Sequence, residues 1–239
     1  MSDKNKNVLH IKKINYNQIM LEFSPLCLER LKLDRMLSNI LDQVDSVHLD
    51  IMDGNFVPNK AFSVDSINKF KCKIPKHVHI MANEPIKYIN ELKNVYSISF
   101  HYEVGNTLNI INCVKQKKIK VGIVVSPETE IEQIFKYVSL IDRVIIMAVN
   151  PGFSGQKFLP DTSSKIIKLR KFSKNIEIVI DGGMNENTIR EVKTLGADAY
   201  VVCSVIVKSK DTSLKIKELK DSSESGEMNK ILLQKNVIK

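Results

Sequence analysis

Eight short runs rich in valine and isoleucine, each followed by a stretch with helical apolar spacing, constrain this chain more than anything else in it. The runs are Ile19–Phe23, Val44–Ile51, Lys76–Met81, Ser97–His101, Lys120–Val125, Arg143–Val149, Ile176–Ile180 and Ala199–Cys203. Between them, apolar residues recur at a helical period over Leu28–Leu41, Asp65–Phe70, Pro85–Leu92, Thr107–Gln116, Ile131–Val138, Lys165–Phe172 and Glu186–Leu195. Helix-prone sequence follows the last run, interrupted by the polar patch Ser222–Gly226. Near-continuous β-branched runs mark strands buried on both faces, as in parallel sheets. Eight βα units in about 220 residues fit a closed α/β architecture, the (β/α)8 TIM barrel. An open doubly wound sheet is the alternative, but no GxGxxG follows the first strand.

Length and charge narrow the reading further. Met1 to Asn17 is polar and Lys/Asn-rich, so residues 1–17 read as a flexible N-terminal extension and 18–239 as one barrel domain. No apolar run approaches the ~18 residues of a membrane span, and the N-terminus lacks the apolar core of a signal peptide. The four cysteines, Cys27, Cys72, Cys113 and Cys203, show no CxxC spacing and sit among apolar residues, which predicts reduced, buried thiols in a cytoplasmic protein. The formal charge of +9 comes almost wholly from lysines spread along the chain. Dispersed charge without an Arg-rich, aromatic-interleaved block reads as a solvated surface, not a nucleic-acid footprint. Such a surface would still draw in an anionic metabolite.

Polar residues at strand ends carry the chemistry. In the stretch Val47–Asn59, His48, Asp50 and Met52 alternate along a strand and therefore share one face. His79, His101 and Asp181 end the third, fourth and seventh strands. In a closed barrel these ends converge on one mouth, where imidazoles and carboxylates suit a divalent cation such as Zn²⁺, Fe²⁺ or Mn²⁺. Met52, Met81 and Met147 reach the same rim, as core filler or as an apolar lid over a reactive intermediate. Pro151–Gln156 follows the sixth strand, Asp181–Gly183 the seventh and Cys203–Ser204 the eighth. Glycine-containing loops let backbone N–H groups approach an anion, so a phosphorylated substrate is expected there.

Five stretches, His48–Asn59, Val78–Met81, Phe100–Glu103, Met147–Gln156 and Ile180–Gly183, together resemble the ribulose-phosphate 3-epimerase family in content and order. The resemblance spans about residues 19 to 207 and implies a barrel enzyme that inverts C3 of a ketose phosphate through an enediolate, using one divalent metal ion. It implies His48, Asp50, His79 and Asp181 as metal ligands, with Asp50 as general base and Asp181 as general acid, their roles exchanged in reverse. Ser24, His79, Gly152, Phe153, Ser154, Gly155, Gly182, Gly183, Cys203 and Ser204 would hold substrate, mainly its phosphate, and Met52, Met81 and Met147 would cap it.

The implied reaction interconverts D-ribulose 5-phosphate and D-xylulose 5-phosphate in a cytoplasmic homo-oligomer. Ser24–Leu33 and Pro127–Thr129 are similar to the D-allulose-6-phosphate 3-epimerase branch, so a hexulose phosphate is the alternative substrate. Some positions depart from the family pattern. The order Phe23-Ser24-Pro25 replaces a Pro-Ser pair, and Ser63, Ser154 and Cys203 stand where small residues, mostly glycine, are usual. Cys203 and the altered first strand also keep a non-catalytic phosphate-binding barrel in view.

Overall fold

Strand alternation decides which side chains enter this barrel and which face its helices. The computed structural model describes residues 19–27 and 33–222. Within them, β1 (Met20–Phe23), β2 (Ser46–Met52), β3 (Lys76–Met81), β4 (Ser97–His101), β5 (Lys120–Val125), β6 (Arg143–Met147), β7 (Glu177–Asp181) and β8 (Ala199–Val202) follow one another around the ring. All eight pairings are parallel, and β8 closes on β1. The expected (β/α)8 barrel is therefore the observed fold.

The described helices are α1 (Leu33–Leu41), α2 (Val64–Lys69), α3 (Pro85–Glu91), α4 (Thr107–Gln116), α5 (Thr162–Phe172), α6 (Glu186–Leu195), α7 (Ser204–Val207) and α8 (Thr212–Asp221). The expected extension, residues 1–17, the expected first turn of the first helix, residues 28–32, and the polar patch from 223 onward lie outside the described residues. Two local expectations change. Ile131–Leu140 is wound as a 3-10 helix, which lines up residues three apart and stacks buried Ile131 and Ile134 against the barrel. Strand β6 ends at Met147, not Val149: Ala148 N makes a last bond to Asp181 O of β7, and the chain then turns at Pro151.

Outward positions such as Leu21, Leu49, Ile51, Ile80, Ile98, Ile146 and Ile178 belong to one buried apolar cluster between sheet and helices. Inside the barrel a separate apolar cluster, with Val124, Ile145, Val179, Ala199 and Val201, fills β5 to β8. The β1 to β4 side of the interior is polar instead: Glu22, His48, Asp50, His77, His79, Ser97, Ser99 and His101 are all buried. Buried polar groups are costly unless paired, so a network must join them. Register sets its layers, with Asp50 beside His79 and Met52 beside Met81.

Gly122 makes the floor possible. A Cβ there would stand 2.3 Å from Ser99 Oγ and 2.8 Å from Arg143 Cγ, so glycine leaves the room that the Arg143 side chain occupies. Cys72 and Cys113 are free, as expected, but Cys203 is disulfide-bonded. The expectation of reduced thiols fails at Cys203.

Candidate active site

Four donor atoms converge where β2, β3 and β7 end. His48 Nε2 lies 3.4 Å from Asp50 Oδ1, 3.5 Å from Asp181 Oδ2 and 3.4 Å from His79 Nδ1. His79 Nδ1 lies 3.2 Å from Asp50 Oδ1 and 3.5 Å from Asp181 Oδ2. All four fall within 4.8 Å of one another. A four-coordinate cation with bonds of ~2.0–2.1 Å spaces its ligand atoms by about 3.3–3.4 Å. The residues present therefore fit a divalent cation, and two imidazoles with two carboxylates are donors that Zn²⁺, Fe²⁺ and Mn²⁺ accept.

The outer nitrogens and oxygens of this group are engaged from behind. His79 Nε2 meets His101 Nε2 at 3.0 Å, and His101 Nδ1 meets Glu103 Oε2 at 3.0 Å. Glu103 is fixed in turn by Ser126 N (2.9 Å) and the Thr129 hydroxyl (2.6 Å). Burial pulls His101 below its ordinary range despite Glu103, so the ring is neutral. One arrangement satisfies the chain: His101 donates from Nδ1 to Glu103 and His79 donates from Nε2 to His101, so Nδ1 is the His79 nitrogen that faces the site, a donor to the carboxylates while protonated and a lone pair once that proton leaves. Burial opposes the ionisation of Glu103, yet His101, Thr129 and Ser126 outweigh it and hold the carboxyl at about 2. On the other flank the Ser24 hydroxyl donates to Asp50 Oδ2 at 2.9 Å, leaving Oδ1 toward the site.

The four groups also shift one another's protonation. Burial alone would lower His48, but the Asp50, Glu22 and Asp181 carboxylates carry it up to about 10. His79 rises as well, because hydrogen bonds to Asp181 and Asp50 overcome its burial. Asp50 would be raised by burial, yet the two imidazoles hold it well below the usual carboxylate range. The carboxylates thus favour positive charge at the two imidazoles, which protons supply and a divalent cation would supply in their place.

Above this floor lies a cavity of about 220 Å³. His48 and His79 sit beneath it, at 1% and 0% exposure, while Ser24, Asp50 and Asp181 line it. Met52, Met81 and Met147 are buried around its lower part, and Met52 and Met81 pack with Val57. The far end is made by Gly152, Phe153, Ser154, Gly155, Gly182, Gly183, Cys203 and Ser204. All the expected site residues are therefore gathered at one mouth, although Phe153 is 54% exposed and lies at its edge. Asn59 Nδ2 donates to Gly152 O at 3.0 Å, tying the β2 loop to the β6 loop.

At two of the glycines any side chain is strained. Gly182 has φ +106°, and a Cβ there would stand 2.3 Å from Val149 Cγ2. Gly183 has φ +68°, and its Cβ would stand 2.6 Å from the Phe158 backbone nitrogen. Gly183→Ala is expected to cost about 1–3 kcal/mol of stability, roughly 2–10 °C in melting midpoint, by strain at a left-handed position. If the loop also cradles phosphate, KM for a sugar phosphate rises about 5- to 30-fold, by the loss of one to two kcal/mol of binding. A melting curve and a saturation curve on the same preparation separate the two effects; unchanged values in both would count against the loop reading.

Glu22, Glu103 and Arg143 join the site in the structure without a motif in the sequence that assigns them to it. Glu103 sits two residues after His101, where a carboxylate following a strand-end histidine is a readable signal. Glu22 lies two positions before Ser24 on the same strand face, which was the only cue to its inward direction.

Comparison with known proteins agrees with this geometry. The model of the ribulose-phosphate 3-epimerase family matches residues 20–207. The chain is 35% identical over 199 residues to ribulose-phosphate 3-epimerase of Aquifex aeolicus, an alignment covering 78% of this chain and 88% of that protein. It is 33% identical over 195 residues to the cytoplasmic isoform of the same enzyme from Oryza sativa subsp. japonica, covering 78% and 85%. The enzyme of Methanocaldococcus jannaschii is 33% identical over 200 residues, covering 81% and 85%. Among solved structures, 3-hexulose-6-phosphate synthase from Salmonella typhimurium superposes with a TM-score of 0.65 at 16% identity, covering 87% of this chain and 100% of that one. Orotidine 5'-phosphate decarboxylase from Pyrococcus horikoshii does so at 0.62 and 14%, covering 86% and 99%; both likenesses concern the fold alone. No described helix is long and apolar enough to cross a membrane. With five motifs, a four-donor floor and a family match over most of its barrel, this chain belongs to the ribulose-phosphate 3-epimerase family and is an isomerase.

Proposed function

We propose that the chain interconverts D-ribulose 5-phosphate and D-xylulose 5-phosphate by two-base proton transfer at C3, with His48, Asp50, His79 and Asp181 holding one divalent cation. The observation that carries this reading is the set of separations from His48 and His79 to the other donors, 3.2–3.5 Å, beneath a cavity also lined by glycine loops. A cation bound there would supply Lewis acidity toward the oxygens flanking C3, an effect worth several kcal/mol.

The remaining work falls to the protein's own groups. Asp50 takes the C3 proton from one face of the substrate, and Asp181 delivers a proton to the other, passing through an enediolate. Strands β2 and β7 stand three steps apart around the ring, so their carboxylates approach a central carbon from different sides. Inversion needs that separation, since a single base returns its proton to the face it came from. Ser24 keeps Asp50 oriented by bonding its other oxygen. The three methionines keep water from quenching the intermediate on the wrong face. At the glycine end the backbone can close on the phosphate, and Lys208 Nζ lies 3.8 Å from the place a Gly155 Cβ would occupy, which adds positive charge there.

The test is to give cation-loaded protein ribulose 5-phosphate in D₂O and follow deuterium at C3 together with xylulose 5-phosphate formation. Absence of both would sink the proposal. One observation favours a second substrate, namely the likeness of Ser24–Leu33 and Pro127–Thr129 to the hexulose-phosphate branch. Side-by-side kcat/KM values are expected to favour the five-carbon substrate, and a higher value for allulose 6-phosphate would reverse the assignment. Elemental analysis of protein purified without chelator identifies the cation.

A further inference from the structure

We infer that Glu22 is a positioning residue for His48, locking the imidazole with its Nε2 lone pair toward the four-donor site, and that Arg143 holds Glu22 in place for this purpose. The inference rests on the metal-site reading above and extends it to two residues beneath the floor. Glu22 is 2% exposed, and its Oε2 lies 3.2 Å from His48 Nδ1. Its other oxygen is paired with an Arg143 terminal nitrogen. Arg143, 1% exposed, is itself over-determined. One terminal nitrogen abuts His77 Nδ1, and Nε lies 3.0 Å from Glu177 Oε2, off the N–H direction, as a charge contact. His77 Nδ1 is further bonded to Ser97 Oγ at 2.6 Å.

A carboxylate is an acceptor only, so the His48 nitrogen facing Glu22 must carry hydrogen. The other nitrogen, Nε2, is the atom 3.4–3.5 Å from Asp50, His79 and Asp181, and it becomes the lone pair when a cation displaces its proton. His79 is served in the same way through His101 and Glu103, so each imidazole is backed by a carboxylate from outside the site. Carboxylate-backed imidazoles bind metal in a fixed tautomer and ring orientation, and losing the partner typically costs 10–100-fold in affinity. A purely structural role accounts poorly for the Glu22–Arg143 pair, because buried ion pairs can often be replaced by apolar side chains of similar volume without loss of stability.

Zn²⁺ affinity measured by competition with a chromophoric chelator tests the inference, on the wild-type chain, Glu22→Gln and the double variant Glu22→Met with Arg143→Met. In Glu22→Gln the amide oxygen stays with Arg143 and turns its N–H₂ toward His48, favouring the wrong tautomer; affinity is expected to fall at least about tenfold. The double variant removes both charges together, so it is expected to melt near the wild-type temperature and yet bind Zn²⁺ about 10–100-fold more weakly. Long-range ¹H–¹⁵N spectra of the Zn²⁺-loaded wild type should show His48 protonated at Nδ1, with that proton exchanging faster in the double variant. A folded double variant with wild-type affinity and an unchanged His48 signal overturns the role of Glu22 alone. Should the double variant not fold, unchanged affinity in Glu22→Gln overturns it equally. If the wild-type chain takes up no Zn²⁺, Mn²⁺ or Fe²⁺, the four-donor reading itself falls, and this inference with it.

Discussion

Asp181→Asn is expected to lower epimerisation by about 10³-fold or more while leaving exchange of the C3 proton in one of the two epimers. The expectation follows from the division of labour between two carboxylates. Asparagine keeps the shape and can still offer an oxygen, but it neither accepts nor delivers a proton at neutral pH. The epimer whose C3 hydrogen faces Asp50 should still lose it and regain deuterium from solvent on the same face. Asp50→Asn should behave as the mirror case, retaining exchange only in the other epimer. Each epimer is incubated separately in D₂O and followed by proton NMR, with cation content measured on each variant because both aspartates also face the donor cluster. Substantial turnover in Asp50→Asn would refute its role as a base. Exchange in neither epimer for both variants, with the cation retained, would point to a different proton path.

How far this site could be read from the sequence depended on where its partners lie. His48 and Asp50 were legible because a strand sends alternate residues to one face, and two polar groups in an apolar run demand an explanation. Asp181 was legible as a polar strand end before two glycines, and β7 proved to include it. The barrel itself was legible because its outward strand faces are almost wholly Val, Ile and Leu, packed under amphipathic helices. Glu22 was not, since a single acid in a four-residue strand looks like a solvent-facing end. Its contact with His48 depends on the β1–β2 register, where Glu22 lies beside Ser46. Arg143 looked like a charged strand start; its inward turn depends on the space that Gly122 leaves. Both facts are tertiary, and neither has a local spacing to betray it. The 3-10 winding of Ile131–Leu140 is similar, for its apolar spacing fits an α-helix equally well.

Stripping divalent cations is expected to abolish epimerisation, and the affinity with which they return should rise steeply with pH. In the cation-free protein His48 is held up to about 10 by Asp50, Glu22 and Asp181 against its burial, and His79 is raised by Asp181 and Asp50. At neutral pH the His48 proton, and part or all of one on His79, must leave before the ring nitrogens can bind a cation. Each displaced proton makes affinity increase about tenfold per pH unit, below the pKa of the group that releases it. The slope of log affinity against pH should therefore lie between one and two near neutrality and flatten toward pH 10. Calorimetry in buffers of different ionisation enthalpy should count the same one to two protons released.

Stability must follow with matching sign. An imidazole raised above its unfolded value stabilises the cation-free fold fully below about pH 6.5. That contribution fades as pH climbs through the folded value of about 10. A bound cation takes over the proton's electrostatic role and does not fade, so the gap in melting midpoint between loaded and stripped protein should widen from pH 6.5 to 10. A constant gap, together with cation binding that releases no protons, would mean that His48 and His79 are not where the cation binds.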